Sequence, residues 1–149
     1  LCLQTMADIN AKNNPKLTYE QRIEILRKAI EIINIVFDKG DYITMAHNIS
    51  VLHRDIAEVS MRAGNYELAL ESLEKSAEYA MYMDELPEKM SHISLLVNTI
   101  EYNSAHIGKN FSNPFSERLL MKMSESRYDE IRNDPRFKAV ENSLKEHIK

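Results

Sequence analysis

Two nearly identical triplets, Gly40-Asp41-Tyr42 and Gly64-Asn65-Tyr66, limit what this chain can become more than any other feature. In each, glycine accepts the left-handed turn that ends a helix, and the following Asp or Asn can cap the free N–H groups that start the next. Around them the apolar residues recur at helical rather than strand spacing. Ile23, Leu26, Ile30, Ile33 and Phe37 form one stripe, with Ile25, Ala29, Ile32 and Val36 beside it. A face this wide touches helices on two sides. Thr18 followed by Gln21 is a capping box, so a helix is expected over 19–38. The stripe Tyr42, Met45, Ile49, Leu52, Ile56 and Ala63 predicts a second helix over 42–62. Tyr66, Ala69, Leu70, Leu73, Ala77, Ala80 and Met81 predict a third.

Further along, Pro87 fits the first turn of a helix, where its missing N–H costs nothing. Met90, Ile93, Val97 and Ile100 would then be the buried stripe of a fourth helix ending near Gly108. Asn113-Pro114 opens a fifth, short helix with Phe115, Leu119, Leu120 and Met123. Ser126 and Asp129 read as another capping box around a turn holding Tyr128 and Ile131. Asp134-Pro135 caps a last helix over 134–148, with Phe137, Val140, Leu144 and Ile148 on the face of a terminal lid. Only 3 glycines and 4 prolines are spread over 149 residues, which leaves few turns and little room for strands. The expected fold class is all-α in a single domain, 1–149. Leu1, Cys2, Leu3, Met6 and Ile9 read as the tail of a truncated helix over 1–14, so the chain is taken as a fragment of a longer protein.

The charge balance excludes several functions. Nineteen Lys plus Arg against 23 Asp plus Glu leave a net −4, with the signs interspersed. No basic patch is present of the kind that neutralises several phosphates of a nucleic acid. One cysteine, Cys2, makes no internal disulfide and fits a reducing, cytoplasmic setting. No apolar run reaches the roughly 20 residues that cross a bilayer, and no secretory leader opens the chain.

The segment Ile56-Ala57 through Arg62-Ala63-Gly64-Asn65-Tyr66, followed by Ala69-Leu70, Leu73, Lys75 and Ala77, resembles a tetratricopeptide repeat. That family sets a large and a small apolar residue on its first helix, a Gly-Asp/Asn-Tyr turn, then alanine, a large apolar and a small residue on its second. His53 and Ser60 stand where the family carries large aromatics. Gly40-Asp41-Tyr42 lies 24 residues before Gly64, short of the 34-residue period of a regular array, so one long helix is shared between two half-matches. A generic helical bundle is the competing architecture. Taken together, the helix from Gln21 to Phe37, both triplets, Asp84-Glu85-Leu86-Pro87, Ser94-Leu95-Leu96-Val97-Asn98 and Arg127-Tyr128 through Asp134-Pro135-Arg136-Phe137 resemble the C-terminal half of bacterial helix-turn-helix regulators of the Xre/Cro type. The resemblance implies antiparallel helical hairpins stacked as a short right-handed array. It also implies a domain that dimerises or senses a peptide or partner, with DNA contacted only through an N-terminal domain absent here.

No residues assemble into a catalytic or metal pattern. His47, His53, His92, His106 and His147 show neither an i, i+4 pair nor a Glu-x-x-His arrangement. Nucleophile elbows and phosphate loops are missing, so no enzyme, metal or cofactor is expected. Asp84 and Glu85 are assigned to the helix dipole. Met45, Met81, Met90 and Met123 fall on core stripes, and Met61 alone is off-stripe. Val51, Arg54, Glu58 and Met61, with Arg62 adjacent, recur opposite the core stripe of the second helix; Glu88, His92, Leu95, Thr99 and Tyr102 do so on the fourth. Arg54, Glu58, Met61, Arg62 and His92 are therefore the candidate residues for binding a protein or peptide on a concave face. The wide apolar face of 23–37 is expected to support a homodimer. A stand-alone tetratricopeptide scaffold for protein–protein interaction is the alternative to the regulator.

Overall fold

A computed structural model of the chain describes residues 2–104 and 113–148. Six α-helices run through it: α1 (Cys2–Asn13), α2 (Tyr19–Val36), α3 (Met45–Arg62), α4 (Tyr66–Asp84), α5 (Phe115–Met123) and α6 (Pro135–Ile148). A two-stranded hairpin, β1 (Lys89–Ser91) and β2 (Glu101–Asn103), sits between α4 and α5, and a 3-10 helix spans Ser126–Ile131. The fold class is all-α. Consecutive helices pack on one another, and α6 returns to cover α4 and α5. No helix among the described residues is long and apolar enough to cross a membrane.

Local signals explain most boundaries. Thr18 accepts from the Gln21 backbone N–H, and the Gln21 side chain accepts from the Thr18 N–H at 3.0 Å, which closes the capping box. Gly40 and Gly64 both take the left-handed conformation, at φ 73° and 72°. Asn65 caps α4 by accepting from Leu68 N–H at 3.2 Å. The three-residue turn folds α4 back antiparallel on α3. Ser50 and Ser76, fully inside that contact, each donate a hydroxyl to the other's carbonyl at 2.8 Å. These two bonds satisfy buried polar groups at the helix contact.

Two apolar clusters meet along α3. The first joins Leu26, Ala29 and Ile33 of α2 to Ile49, Leu52 and Ile56, with Ala11 from α1. The second joins Ala57 and the α4 stripe Ala69, Leu70, Leu73, Ala77 and Ala80 to Leu119, Met123, Tyr128, Phe137 and Leu144. Ala69, Ala77 and Ala80 let the helices come close, as their size predicts.

The C-terminal lid is held by charge as well as packing. Arg136 grips Glu74 with Nε and Nη2 at 2.7 and 2.9 Å, a bidentate pair joining α6 to α4. Arg132 donates to the Met123 and Glu125 carbonyls at 3.2 and 3.0 Å, closing the frayed end of α5. Phe137 is fully buried between them. The Asp-Pro-Arg-Phe ending is thus a structural clasp.

Four expectations are corrected. Residues 87–104 do not form a helix: Lys89 pairs with Asn103, Met90 with Tyr102 and Ser91 with Glu101 in an antiparallel hairpin. This segment is rich in Ser, Asn, Thr and β-branched residues, all weak helix formers, and of its apparent stripe only Val97 is buried while Ile93 and Ile100 are 68% and 54% exposed. The end placed near Gly108 lies outside the described residues. Helix α3 starts at Met45 rather than residue 42 because Ile43, fully buried, is held at φ 49°, a left-handed conformation costly for a β-branched side chain. Asp41 therefore caps no helix. Finally, Ser126 and Asp129 form no capping box; Asp129 instead accepts from Arg132 Nε at 3.0 Å.

Candidate functional site

The outer side of α3 carries most of the residues that the sequence singles out, and the structure divides them. Helical spacing puts Arg54, Glu58 and Met61 on one face, but the 3-10 helix and α5 pack beside that face at different heights. Arg54 lines a cavity with His47, Val51, Phe115, Arg118 and Lys122, between α3, α4 and α5. Glu58, Met61 and Arg62 line a separate open cleft with Glu125, Arg127 and Glu130 of the 3-10 region.

Most charges in this cleft are already paired. Glu58 accepts from Arg127 at 2.5 Å, and Arg127 also meets Glu125 at 2.6 Å. Arg54 donates to Asp55 at 3.1 Å and lies 3.6 Å from Glu58. Asp55, almost fully buried, also takes the Lys12 ammonium at 2.7 Å. Arg22 is spent on the end of α1, donating to the Ala11, Lys12 and Asn14 carbonyls. Arg62 and Glu130 are different. Both are exposed, and neither has an ion-pair partner among the described residues.

Arg62 stands where three hollows adjoin. One is the cleft toward Arg127; a second runs under Lys12, Leu26, Asp55 and Val59; a third reaches Pro15, Leu17 and Tyr19 on the loop from α1 to α2. Met61, the methionine off the core stripe, is half-buried, contributing to the cleft wall and to the second apolar cluster. A channel with an apolar floor, paired charges along its sides and one unengaged cation at its centre suits an extended peptide.

Against known proteins nothing matches: neither family models, nor curated proteins, nor solved structures.

His92 is not part of this surface. It follows β1, packs at a tilt against Phe37 with ring centroids 5.2 Å apart, and sets Nδ1 3.2 Å from Asp41. Its placement with Glu88, Leu95, Thr99 and Tyr102 on one helical face fails because that helix does not exist. The carboxylate of Asp41 accepts from Ile93 N–H at 2.6 Å, Ser94 N–H at 3.0 Å and the Ser94 hydroxyl. Burial works against its ionisation, but donors from Ser94 and Ile93 outweigh it and hold the carboxyl far below its ordinary range. Asp84 does a matching job at the other end of the hairpin segment, accepting from Phe115 and Ser116 N–H at 2.6 and 2.9 Å and so capping α5. Its role is the N-terminal helix-dipole interaction, exerted on a helix other than its own.

His53 and His47 pack against aromatic rings, and His147 sets Nδ1 3.7 Å from Glu85. His53 lies flat on Tyr79 at 6.1 Å, with burial lowering its pKa to about 4. His47 meets the Phe115 ring at a tilt, with centroids 4.9 Å apart. Among the described residues no group of three His, Cys, Asp or Glu is placed to hold a metal; His106 lies outside them.

Proposed function

We propose that this chain is a non-catalytic protein- or peptide-binding, signal-sensing and dimerisation domain of a cytoplasmic bacterial helix-turn-helix regulator, built from tetratricopeptide-like hairpins. The observation that carries the binding role is Arg62, an exposed cation without an ion-pair partner among the described residues, at the junction of three hollows. The hollows follow the outer side of α3 for most of its C-terminal half. An extended segment laid there would offer a carboxylate to Arg62 and a basic residue to Glu130, with apolar side chains against Met61 and Val59. The regulator part rests on the order of sequence motifs, and the exposed Ile35 and Tyr19 on α2, 69% and 43% accessible, support the dimerisation part.

A random-sequence peptide array probed with the chain and with Arg62→Glu tests the binding role. Peptides retained by the parent are expected to be enriched in acidic residues and lost by the variant, at an unchanged melting temperature. An identical set of retained peptides for both proteins would overturn it.

A further inference from the structure

The β-hairpin between α4 and α5 is thinly supported. Two strands alone are marginal in water unless a third strand or a helix packs on them, and among the described residues no helix packs broadly on β1 or β2. The segment after β1 fixes the hairpin, where Asp41 holds the Ile93 and Ser94 amides and His92 rests against Phe37.

The hairpin's ladder leaves one edge open. His92 N–H donates to the Ile100 carbonyl at 3.3 Å and Ser104 N–H to the Glu88 carbonyl at 2.8 Å, which sets the alternation of an antiparallel pair. Residues 88, 90 and 92 therefore turn their backbone groups toward β2, and Lys89 and Ser91 turn theirs outward. Both residues are exposed, and neither makes a hydrogen bond among the described residues. The outer edge of β2 is less open, because Asn103 is already engaged. A row of unpaired N–H and C=O groups is a template for another strand.

A second copy of β1 fits that row in one register. Paired antiparallel about a two-fold axis, with Met90 opposite the partner's Met90, Lys89 exchanges both backbone bonds with the partner's Ser91, and Ser91 with the partner's Lys89. Every outward group of both strands is then satisfied. The neighbouring registers fail. Centred on Lys89, the pairing sets two ammonium groups side by side and calls on Pro87, which has no N–H. Centred on Ser91, it calls on the Ile93 N–H, already donated to Asp41. About Met90 no like charges oppose: Lys89 meets serine, and Glu88 falls across from the partner's His92. Tyr102 and Met90, paired within each hairpin, continue through the axis as one row, and the exposed Ile93 falls beside the partner's Pro87.

We infer that β1 is a homodimerisation edge, through which two copies of this chain join their two-stranded hairpins into one continuous antiparallel sheet centred on Met90. This pairing rests on the dimerisation proposed above and moves its contact from the exposed Ile35 face of α2 to β1.

The experiment is disulfide trapping in the intact chain carrying Cys2→Ser. Opposed residues lying between hydrogen-bonded pairs bring their Cα atoms to about 4.5 Å, within reach of a disulfide. Met90→Cys is expected to give a covalent dimer on mild oxidation, whereas Lys89→Cys, whose opposite position is Ser91, stays uncross-linked. Ser91→Pro removes an outward N–H and none of the hairpin's own bonds. It is expected to raise the dimer dissociation constant in sedimentation at least tenfold, because each dimer loses two donors, at an unchanged melting temperature. Cross-linking of Ile35→Cys but not of Met90→Cys would overturn the β1 contact and leave dimerisation through α2 standing. Equal cross-linking of Lys89→Cys and Met90→Cys, or a dissociation constant unmoved by Ser91→Pro, would overturn it as well. A parent chain that sediments as a monomer throughout a concentration series would overturn both the contact and the dimerisation on which it rests.

Discussion

The two Gly-Asx-Tyr turns share a glycine of the same handedness and do opposite things with the residue after it. At Gly64-Asn65-Tyr66 the carboxamide turns inward along its own helix and caps α4. At Gly40-Asp41-Tyr42 the carboxylate reaches away from α3 and ties down the loop after β1, more than 50 residues later in the chain. The difference follows from charge and neighbours. A buried carboxylate needs several donors, and here the Ile93 and Ser94 amides and the Ser94 hydroxyl supply them. With its Asx residue diverted, the first turn leaves α3 to begin through a strained Ile43. The same three-letter punctuation directly follows a helix C-cap, Ala63, and begins the next helix only in the second place; in the first, Gly40 lies three residues beyond the α2 C-cap Phe37.

The largest expected break in this comparison is Asp41→Ala. It strands two backbone N–H groups and a buried hydroxyl, and should cost about 3 kcal/mol at neutral pH. Amide hydrogen exchange at Ile93 and Ser94 would accelerate while α4 stays protected. The wild-type turn can be broken the same way with acid. The folded pKa of Asp41 is depressed, so its contribution is present in full above the ordinary carboxylate value of 3.8 and declines only as pH falls toward the folded value. Asn65, an amide, has no such titration, so the second turn serves as the control in the same sample.

Asn65→Ala sharpens the comparison from the other side. Loss of an N-cap of this kind costs about 1 kcal/mol, and the loss should appear as fraying confined to the first turn of α4 in exchange measurements. A long-range effect at the hairpin would show that the two turns are not independent.

How far the sequence reveals this molecule follows the same division. Thr18 with Gln21, the stripes of α2 and α4, Asn113-Pro114 and Phe137 with Val140 and Leu144 are local patterns, and each marks its element correctly. Residues 87–104 imitate a helical stripe because Met90, Ile93, Val97 and Ile100 happen to fall at helical spacing. Weak helix formers stand against the helix, as does the bond of Asp41 to the Ile93 and Ser94 amides, and no periodicity encodes a contact across such a distance. His92 misleads as a site residue for that reason. Arg54, Glu58, Met61 and Arg62 are correctly placed together on α3, but their partition between cavity and cleft depends on where α5 and the 3-10 helix dock. Arg118, Lys122 and Arg127 escape a reading of α3 alone. Their sequence signal is the four- and five-residue spacing of Arg118, Lys122 and Arg127 after Asn113-Pro114.

The hairpin and the cleft are also rival surfaces. Leu95 and Leu96 are 79% and 70% exposed at the tip of the hairpin, whereas the channel around Arg62 combines an apolar floor with charged sides. An amide NMR titration of the intact chain with an acidic peptide chosen from the array decides between them most directly. Shifts concentrated at Glu58, Met61, Arg62, Arg127 and Glu130 are expected if the outer side of α3 is the binding face. Shifts concentrated between Ile93 and Ile100, with the α3 amides unmoved, would contradict it.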